Sequence, residues 1–415
     1  MGRKKSFQNI CNKFSYFKFQ NKFRTLLLLA LLALFQLNCK TKAEDNKLLL
    51  MSLFISNNIS YSWNLPPGFP APNVPSDNPM SVEKVKLGRF LFYDKKLSEN
   101  MTQSCSSCHI QALAFSDGRE LGIGSTGQTH PRSAQQLSNV AYHPVLTWSD
   151  PTQLSLEIQS KAPLFGTSPI ELGLSSDTYL NRIKGDSIYR ELFSNAFGVG
   201  LDKINEQNIR FALASFQRTL ISGNSPYDKV VYQSQSSAMS ASAKRGMNIF
   251  NGEVAECFHC HGGFNFTDTS SHTNVKNGDI IYNDNGFRSL TSYNSLSDNK
   301  KGLYATTGKS TDIGKFRAPS LRNVGLTFPY MHDGSIHCDT NLKPTPGVYS
   351  EECAKNALGK VIEHYKSGGQ TPSNKDTTLI RGFTLTQTEK DDLINFLLSL
   401  TDQEFISNKE FSNPF

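Results

Sequence analysis

The sequence predicts a mainly α-helical fold with two similar halves and long irregular loops. Apolar residues recur at helical spacing in several segments, among them VEKVKLGRFLFYD, INEQNIRFALASFQRTLIS and LTQTEKDDLINFLLSL. The pattern Cys-x-x-Cys-His occurs twice, as CSSCH at 105–109 and as CFHCH at 257–261, and a predicted helix precedes each copy. This repeated pairing of a helix with a motif indicates an internal duplication.

Each Cys-x-x-Cys-His motif is typical of covalent haem attachment. Two thiols separated by two residues can add to both vinyl groups of one porphyrin, and the adjacent imidazole can then reach the iron as an axial ligand. A redox or zinc pair with a chance histidine is the alternative, and it would have to arise twice. We therefore predict two covalently bound haem c groups. Their predicted attachment and ligand residues are Cys105, Cys108, His109, Cys257, Cys260 and His261.

Composition and charge narrow the class of protein. The 415 residues, 38% of them hydrophobic, are enough for two or three compact units. We predict an N-terminal haem domain at 81–235 and a C-terminal haem domain at 236–415. The formal charge of +7 comes from the first 38 residues, which hold seven basic side chains and no acidic one. Without them the chain is close to neutral, so we expect no nucleic-acid partner.

The N-terminus predicts an exported lipoprotein. A basic segment precedes an apolar run at 26–37, which is short for a bilayer span. The run ends at LNCK, which resembles a lipoprotein processing site with Cys39 as the lipidated residue. We therefore predict a signal peptide at 1–38, a proline-rich tether at 39–80, and a periplasmic location with the lipid anchor as the membrane contact. A retained transmembrane helix and a lipid-free cleaved product are the alternatives.

Further helices are expected along both halves. In the first half, LSLEIQ and DTYLNRIKGDSIYRELFSNAF show helical spacing. In the second half, SASAKRGMNIFNG is a predicted helix that leads into the second motif. The polar stretch 263–315 predicts loops or short strands. Near the C-terminus, Thr386 with Glu389 three residues later predicts the capping box of a helix.

The cysteine count leaves one pair for a structural bond. Of eight cysteines, one lies in the leader, one is the predicted lipid site and four belong to the haem motifs. The remaining Cys338 and Cys353 lie in a polar, proline-containing stretch, where a disulfide that clamps a loop is favoured over a metal or catalytic role.

The order of motifs resembles the bacterial di-haem cytochrome c peroxidase and MauG superfamily. HPRSAQQLSNVAYHPVLTW and APLFGTSPIELGL stand between the haem motifs, and FRAPSLRNVGLTFPYMHDGSI and IEHYKSGG follow them, so the resemblance covers 80–402. It implies two cytochrome c-like haem domains packed against each other. It also implies that hydrogen peroxide reacts at the N-terminal haem, with His109 as proximal ligand, while the C-terminal haem relays electrons.

The resemblance also implies roles for three side chains near the first haem. Glu171, in SPIELGL, matches the catalytic glutamate, with an ordinary surface carboxylate as the alternative. Trp148, in VLTWSDP, matches the tryptophan between the two haems, where it would relay electrons or fill the domain interface. His130, in THPRS, is placed differently from the family's distal histidine. An acid–base helper and a plain loop histidine therefore both stay open for it.

The sixth ligand of the second haem separates the branches of the superfamily. Ordinary peroxidases supply a methionine after the PYxHxG motif, whereas MauG supplies a tyrosine, and VIEHYKSGG places Tyr365 at this position opposite His261. A phenolate is a hard, anionic donor that lowers the potential of the haem. Met331, His332 and His364 are competing ligands.

These observations define three functional hypotheses. The leading one is a MauG-like enzyme that uses peroxide to oxidise an aromatic residue of a partner protein. The second is a cytochrome c peroxidase that takes electrons from a small cytochrome c, and the third is a non-catalytic electron-transfer cytochrome.

The resemblance also implies a calcium ion between the domains. Ser133 replaces the usual asparagine and is a poorer calcium ligand, so the presence of calcium stays open.

Overall fold

Helices joined by irregular loops make up the structure. The computed structural model describes residues 61–275 and 280–415, and Tyr61–Phe415 clusters as one unit. Within these ranges β structure is limited to isolated bridges, such as Ile110 with Ser116. The mainly α fold predicted from the sequence is therefore confirmed. The predicted signal peptide, the Cys39 lipid site and the tether up to residue 60 lie outside the described residues.

The helices follow the predicted order. In the first half they are α1 Val82–Tyr93, α2 Leu156–Gln159, α3 Lys161–Phe165, α4 Thr178–Gly185, α5 Ser187–Phe197, α6 Glu206–Arg218 and α7 Pro226–Tyr232. In the second half they are α8 Ala241–Phe250, α9 Leu290–Asn294, α10 Tyr304–Thr307, α11 Glu351–Lys366, α12 Gln387–Leu398 and α13 Gln403–Ser407. None of the helices in the described ranges is both long and apolar enough to span a bilayer.

The two halves repeat one helix crossing. Helix α1 packs against α6, and α8 packs against α12. A glycine lies at each crossing: a Cβ on Gly88 would overlap the carbonyl oxygen of Ala212, and a Cβ on Gly246 would overlap that of Asp392. The helix that leads into each haem motif is therefore held close to a second helix, in agreement with the predicted duplication.

Apolar side chains form a separate core under each motif. The first core contains Leu87, Phe92 and Phe216 at their helix crossing, and the second contains Phe250 and Phe396 at the equivalent crossing. The boundary between the predicted domains is not a simple cut in the sequence, because the C-terminal segment 403–415 returns to the first core. The predicted domain limits stay predictions.

Two extended segments join the halves. The described part of the tether packs as an arm: Phe69 is buried against Tyr142 and Phe264, with ring centroids 6.1 and 5.0 Å away. At the other end of the chain, Arg89 donates from Nε to the carbonyl oxygen of Ser412 at 2.7 Å. Residues that follow the second motif, near Phe264 and at Ser412, are thereby tied to the first half.

A buried ion pair links α7 to the segment after the second motif. Arg322 and Asp228 are fully buried, and Nη1 of Arg322 lies 2.6 Å from both carboxylate oxygens of Asp228. The guanidinium also lies over the rings of Phe69, Tyr227 and Phe266 at 5.0, 5.7 and 5.2 Å. A charge removed from water needs such a partner, so the pair specifies how these segments pack.

Local details differ from the sequence prediction in three places. The stretch 263–315, predicted as loops or short strands, contains the short helices α9 and α10. The pattern DTYLNRIKGDSIYRELFSNAF forms two helices instead of one, because Asp186 adopts an extended conformation and caps α5 by accepting from the Ile188 amide. Helix α11 is not predicted from the sequence, although it carries Tyr365. The C-terminal helix α12 begins with the predicted capping box of Thr386 and Glu389.

Candidate haem sites and the residues between them

The first motif forms a turn at the edge of a cavity of about 450 Å³. Cys105, Cys108 and His109 all line this cavity, and neither cysteine forms a disulfide. Nδ1 of His109 lies 2.8 Å from the carbonyl oxygen of Phe115, so this nitrogen donates and Nε2 stays free. Two thiols and one oriented imidazole on a cavity wall fit covalent haem attachment.

The second motif repeats this arrangement at a cavity of about 270 Å³. Cys257, Cys260 and His261 line it, and Nδ1 of His261 lies 3.1 Å from the carbonyl oxygen of Pro319. Burial lowers the pKa of His261 to about 4, so the ring is neutral at pH 7 and can ligate through Nε2. This donor set also fits a haem.

Glu171 and His130 meet on the wall of the first cavity. Oε1 of Glu171 lies 3.6 Å from Nε2 of His130. Burial raises the pKa of Glu171 to about 7, even though 39% of its side-chain surface is accessible where it lines the cavity. Nδ1 of His130 accepts from the Arg132 amide at 3.1 Å, which places the ring proton of the neutral form on Nε2. The structure brings these two predicted site residues together.

Gln128 holds the Glu171 loop and is a residue that the sequence prediction misses. Its Oε1 accepts from the amide of Ile170 at 2.9 Å, and the amide of Ser125 donates to the Glu171 carbonyl oxygen at 2.7 Å. Gly124 allows this approach, since a Cβ there would overlap the carbonyl oxygen of Ile170. These contacts fix the backbone that carries the glutamate side chain.

Trp148 lines both cavities. Its indole Nε1 donates to the carbonyl oxygen of Ser133 at 3.0 Å, and its own carbonyl oxygen accepts from the Arg317 amide at 2.9 Å. The ring packs in a small apolar cluster with Tyr293 and Phe316. The tryptophan predicted to lie between the haems is thus placed on the wall that the two cavities share.

Arg317 adds a buried charge beside this tryptophan. Its Nη2 donates to Oε1 of Gln135 at 2.7 Å, and Nη1 lies 3.3 Å from Nδ1 of His143. Burial lowers the pKa of Arg317 to about 10, which still leaves the guanidinium charged at neutral pH. The motif FRAPSLRN, which contains this arginine, does not by itself predict a buried charge beside the tryptophan.

Two of the competing ligands for the second iron are engaged elsewhere. The ring of His332 stacks on Phe316 with centroids 3.7 Å apart, and burial lowers its pKa. Nε2 of His364 lies 3.1 Å from the carbonyl oxygen of Asn285. Tyr365, Met331 and His332 all line the cavity of the second motif, and the ring of His332 is held there against Phe316.

The phenol of Tyr365 is buried and has a side-chain hydrogen-bond partner, Asn285. Burial raises its pKa to about 12, while a hydrogen bond from Asn285 acts in the opposite direction. A bound iron cation would reverse this shift, because a coordinating group gives up its proton. Tyr365 can therefore serve as an anionic ligand only with a metal beside it.

Two further predictions concern a disulfide and a calcium ion. The Sγ atoms of Cys338 and Cys353 are bonded at 2.08 Å, which joins the loop after PYMHDG to the first turn of α11. At the predicted calcium position, the hydroxyl of Ser133 donates to the carbonyl oxygen of Arg119 at 3.4 Å. Calcium binding stays a prediction.

Comparison with known proteins identifies the family. The family model described as di-haem cytochrome c peroxidase matches residues 82–236. The methylamine utilization protein MauG of Methylophilus methylotrophus is 34% identical over 85% of this chain and 94% of its own. Cytochrome-c peroxidase IdrP1 of a Pseudomonas species, strain SCT, is 31% identical over 82% and 86%. The chain belongs to the di-haem cytochrome c peroxidase and MauG family of oxidoreductases, and two c-type haems follow from this membership.

A solved structure supports the same assignment. The crystal structure of a MauG-like protein associated with microbial copper homeostasis is 39% identical to this chain and has a TM-score of 0.77. The match covers 85% of this chain and 99% of the other. The fold of the described residues is therefore the fold of this family.

Proposed function

We propose that the chain is a MauG-like peroxidase that uses hydrogen peroxide to oxidise an aromatic side chain of a partner protein. The observation that carries the proposal is Tyr365, which lines the same cavity as His261. When bound, the haems supply the redox chemistry. Peroxide takes up two electrons and two protons and leaves as two water molecules, and the electrons come from the partner.

Glu171 moves the proton that O–O bond cleavage requires. Its carboxylate takes a proton from one peroxide oxygen and delivers it to the other, which becomes water. A pKa of about 7 suits a group that must both accept and donate near neutral pH. His130 orients this carboxyl through Nε2, 3.6 Å away.

Trp148 connects the two sites. Its indole ring lines both cavities, and among common side chains indole and phenol lose an electron most readily. Its Nε1 proton is held by the carbonyl oxygen of Ser133, which cannot take up the proton. The indole is thus placed to pass electrons from the second site to the first without losing its proton.

The experiment compares two electron sources for purified di-haem protein. With peroxide and a reduced small cytochrome c as the electron source, we expect slow oxidation of the cytochrome. With peroxide and a protein partner bearing an accessible tryptophan or tyrosine, mass spectrometry should detect oxidation of that side chain. Fast cytochrome oxidation without any modified partner would contradict the proposal.

The second candidate function is a cytochrome c peroxidase. Met331 favours it, because this side chain lines the same cavity as Tyr365 and could ligate the second iron in its place. Electrons would then come from a small cytochrome c, and the same turnover experiment would find rapid peroxide-dependent cytochrome oxidation.

We also propose that the chain is exported and held at the membrane by a lipid on Cys39. The basic segment, the short apolar run and LNCK support this location. Cys39→Ala should release the haem protein from the membrane fraction. A Cys39→Ala protein that stays in that fraction would contradict the lipid anchor.

A further inference from the structure

Asn285 lies in a loop beside the cavity of the second motif. It lines that cavity together with Tyr365 and Met331, two of the candidate sixth ligands. Its side-chain Nδ2 is 3.1 Å from the hydroxyl oxygen of Tyr365 and 3.6 Å from the sulfur of Met331. Because an amide nitrogen carries two hydrogens, Asn285 can donate to both acceptors.

The loop holds this amide in one orientation. Oδ1 of Asn285 accepts from the amide of Phe287 at 3.1 Å, which leaves the NH₂ end facing the two candidate ligands. The carboxylate of Asp284 accepts from the amides of Gly286 and Asn374, each at 2.8 Å. The loop is thus braced beside the asparagine.

The same loop is tied to the helix that carries Tyr365. Nε2 of His364 lies 3.1 Å from the carbonyl oxygen of Asn285, and the amide of Gln370 donates to the carbonyl oxygen of Gly286 at 2.6 Å. The position of the amide relative to the phenol is therefore set by contacts between two elements, in addition to the side-chain hydrogen bond.

Met331 is held by its backbone. It adopts the left-handed region with φ 71°, which residues other than glycine rarely occupy, and the amide of Gly334 donates to its carbonyl oxygen at 3.2 Å. Its thioether is a weak, neutral acceptor. A phenolate accepts a stronger, charge-assisted bond from the same donor, so the amide of Asn285 favours oxygen over sulfur.

We propose that Asn285 is a positioning residue that selects Tyr365 over Met331 as ligand of the second haem iron. The inference rests on the proposed function, in which Tyr365 is that ligand. The amide stabilises the phenolate oxygen, and Met331 remains a reserve ligand held against the same amide. Without the donor, this preference is lost.

The test compares full-length di-haem protein with its Asn285→Leu variant, because leucine has a similar shape but no donor. The measurements are the EPR spectrum of the ferric protein and the reduction potential of the second haem. We expect a second low-spin signal, typical of histidine–methionine ligation, and an upward shift of the potential. Adding Met331→Leu should remove that second signal.

Asn374→Leu is the matched control. It loses two side-chain hydrogen bonds beside the same loop, to the carbonyl oxygens of Ser310 and Ile313, without contacting either candidate ligand. It should keep the wild-type spectrum. If Asn374→Leu also produced the second signal, general loosening of the loop would explain the result and the proposal would fail.

The remaining outcomes separate this proposal from the proposed function. A wild-type spectrum in Asn285→Leu with an altered spectrum in Tyr365→Phe would overturn selection by Asn285 and leave tyrosine ligation standing. An unaltered spectrum in Tyr365→Phe would overturn both.

Asn285→Asp serves as a second variant if leucine prevents haem loading. Its carboxylate repels a phenolate, so the second signal should appear there too, and a wild-type spectrum would again contradict the proposal.

Discussion

Among single side chains, Glu171 shows how position changes the chemistry of a common group. An exposed glutamate is ionised at neutral pH, but burial raises the pKa of this carboxyl to about 7. The backbone that carries it is held by the amide of Ser125 and by the side chain of Gln128. The reactivity of the group is therefore a property of the loop as well as of the residue.

Replacing Glu171 with glutamine should slow the reaction with peroxide by about 10²- to 10⁴-fold, the usual contribution of general acid–base catalysis. Glutamine keeps the size of the side chain but cannot accept and return a proton. The measurement is the rate of the haem absorbance change after rapid mixing with peroxide. Glu120→Gln is the control, since that exposed carboxylate pairs with Lys343 on the surface. Equal rates in Glu171→Gln and wild type would remove the glutamate from the mechanism.

The raised pKa of Glu171 also predicts the pH dependence of that rate. Below about pH 7 the carboxyl is protonated and cannot take a proton from peroxide, so the rate should rise with pH through this value. The same rapid-mixing measurement from pH 5 to 9 checks it. A rate that falls or stays level between pH 6 and 8 would contradict a base with this pKa.

At the scale of elements, the two glycine crossings explain why each half is built alike. Sequence periodicity is sufficient to predict α1, α6 and α12, because each has an apolar face. It does not predict the close approach at Gly88 and Gly246, because this depends on backbone atoms of a helix far along the chain.

Gly88→Ala and Gly246→Ala should each lower the free energy of unfolding by about 1–3 kcal/mol, the range typical of overpacking. Each new methyl group would overlap a carbonyl oxygen of the facing helix. Gly185→Ala is the control, because a Cβ at that position meets no atom within 4 Å. Denaturant unfolding of the haem-loaded proteins measures the difference. Similar stability for all three variants would rule out tight crossings.

The candidate sites were predictable to different degrees. The cysteine and histidine ligands follow from the motif itself, since their spacing is local. Glu171 and Trp148 follow only from the family resemblance. Asn285 and Gln128 could not be predicted, because neither lies in a recognisable motif and their partners are distant in the sequence. Asn285 contacts Tyr365, 80 positions away, and Gln128 contacts Ile170, 42 positions away.

At the scale of the whole molecule, the feature most important to the proposed electron transfer is the wall that the two cavities share. Trp148 and Gln135 of the first half line both cavities, and Arg317 of the second half lines the second cavity and donates to Gln135. The tether arm and the C-terminal segment hold the halves together around it. In the proposed mechanism, electron transfer between the sites depends on packing that no single motif specifies.

Trp148→Phe should slow electron transfer between the sites while leaving the first reaction with peroxide intact, because phenylalanine keeps the ring but is harder to oxidise. The measurement is the delay between the absorbance changes of the two haems after mixing. Trp63→Phe is the matched control, since the only other tryptophan of the chain lies in the arm and packs on Tyr61. An unchanged delay in Trp148→Phe would exclude the indole from the route.

The decisive measurement is EPR of the ferric di-haem protein beside its Tyr365→Phe variant. If His261 and Tyr365 ligate the second iron, the low-spin signal of that haem should be lost or replaced in the variant. The signal of the first haem should stay the same. An identical low-spin signal in both proteins would contradict tyrosine ligation and, with it, the assignment of MauG-like chemistry.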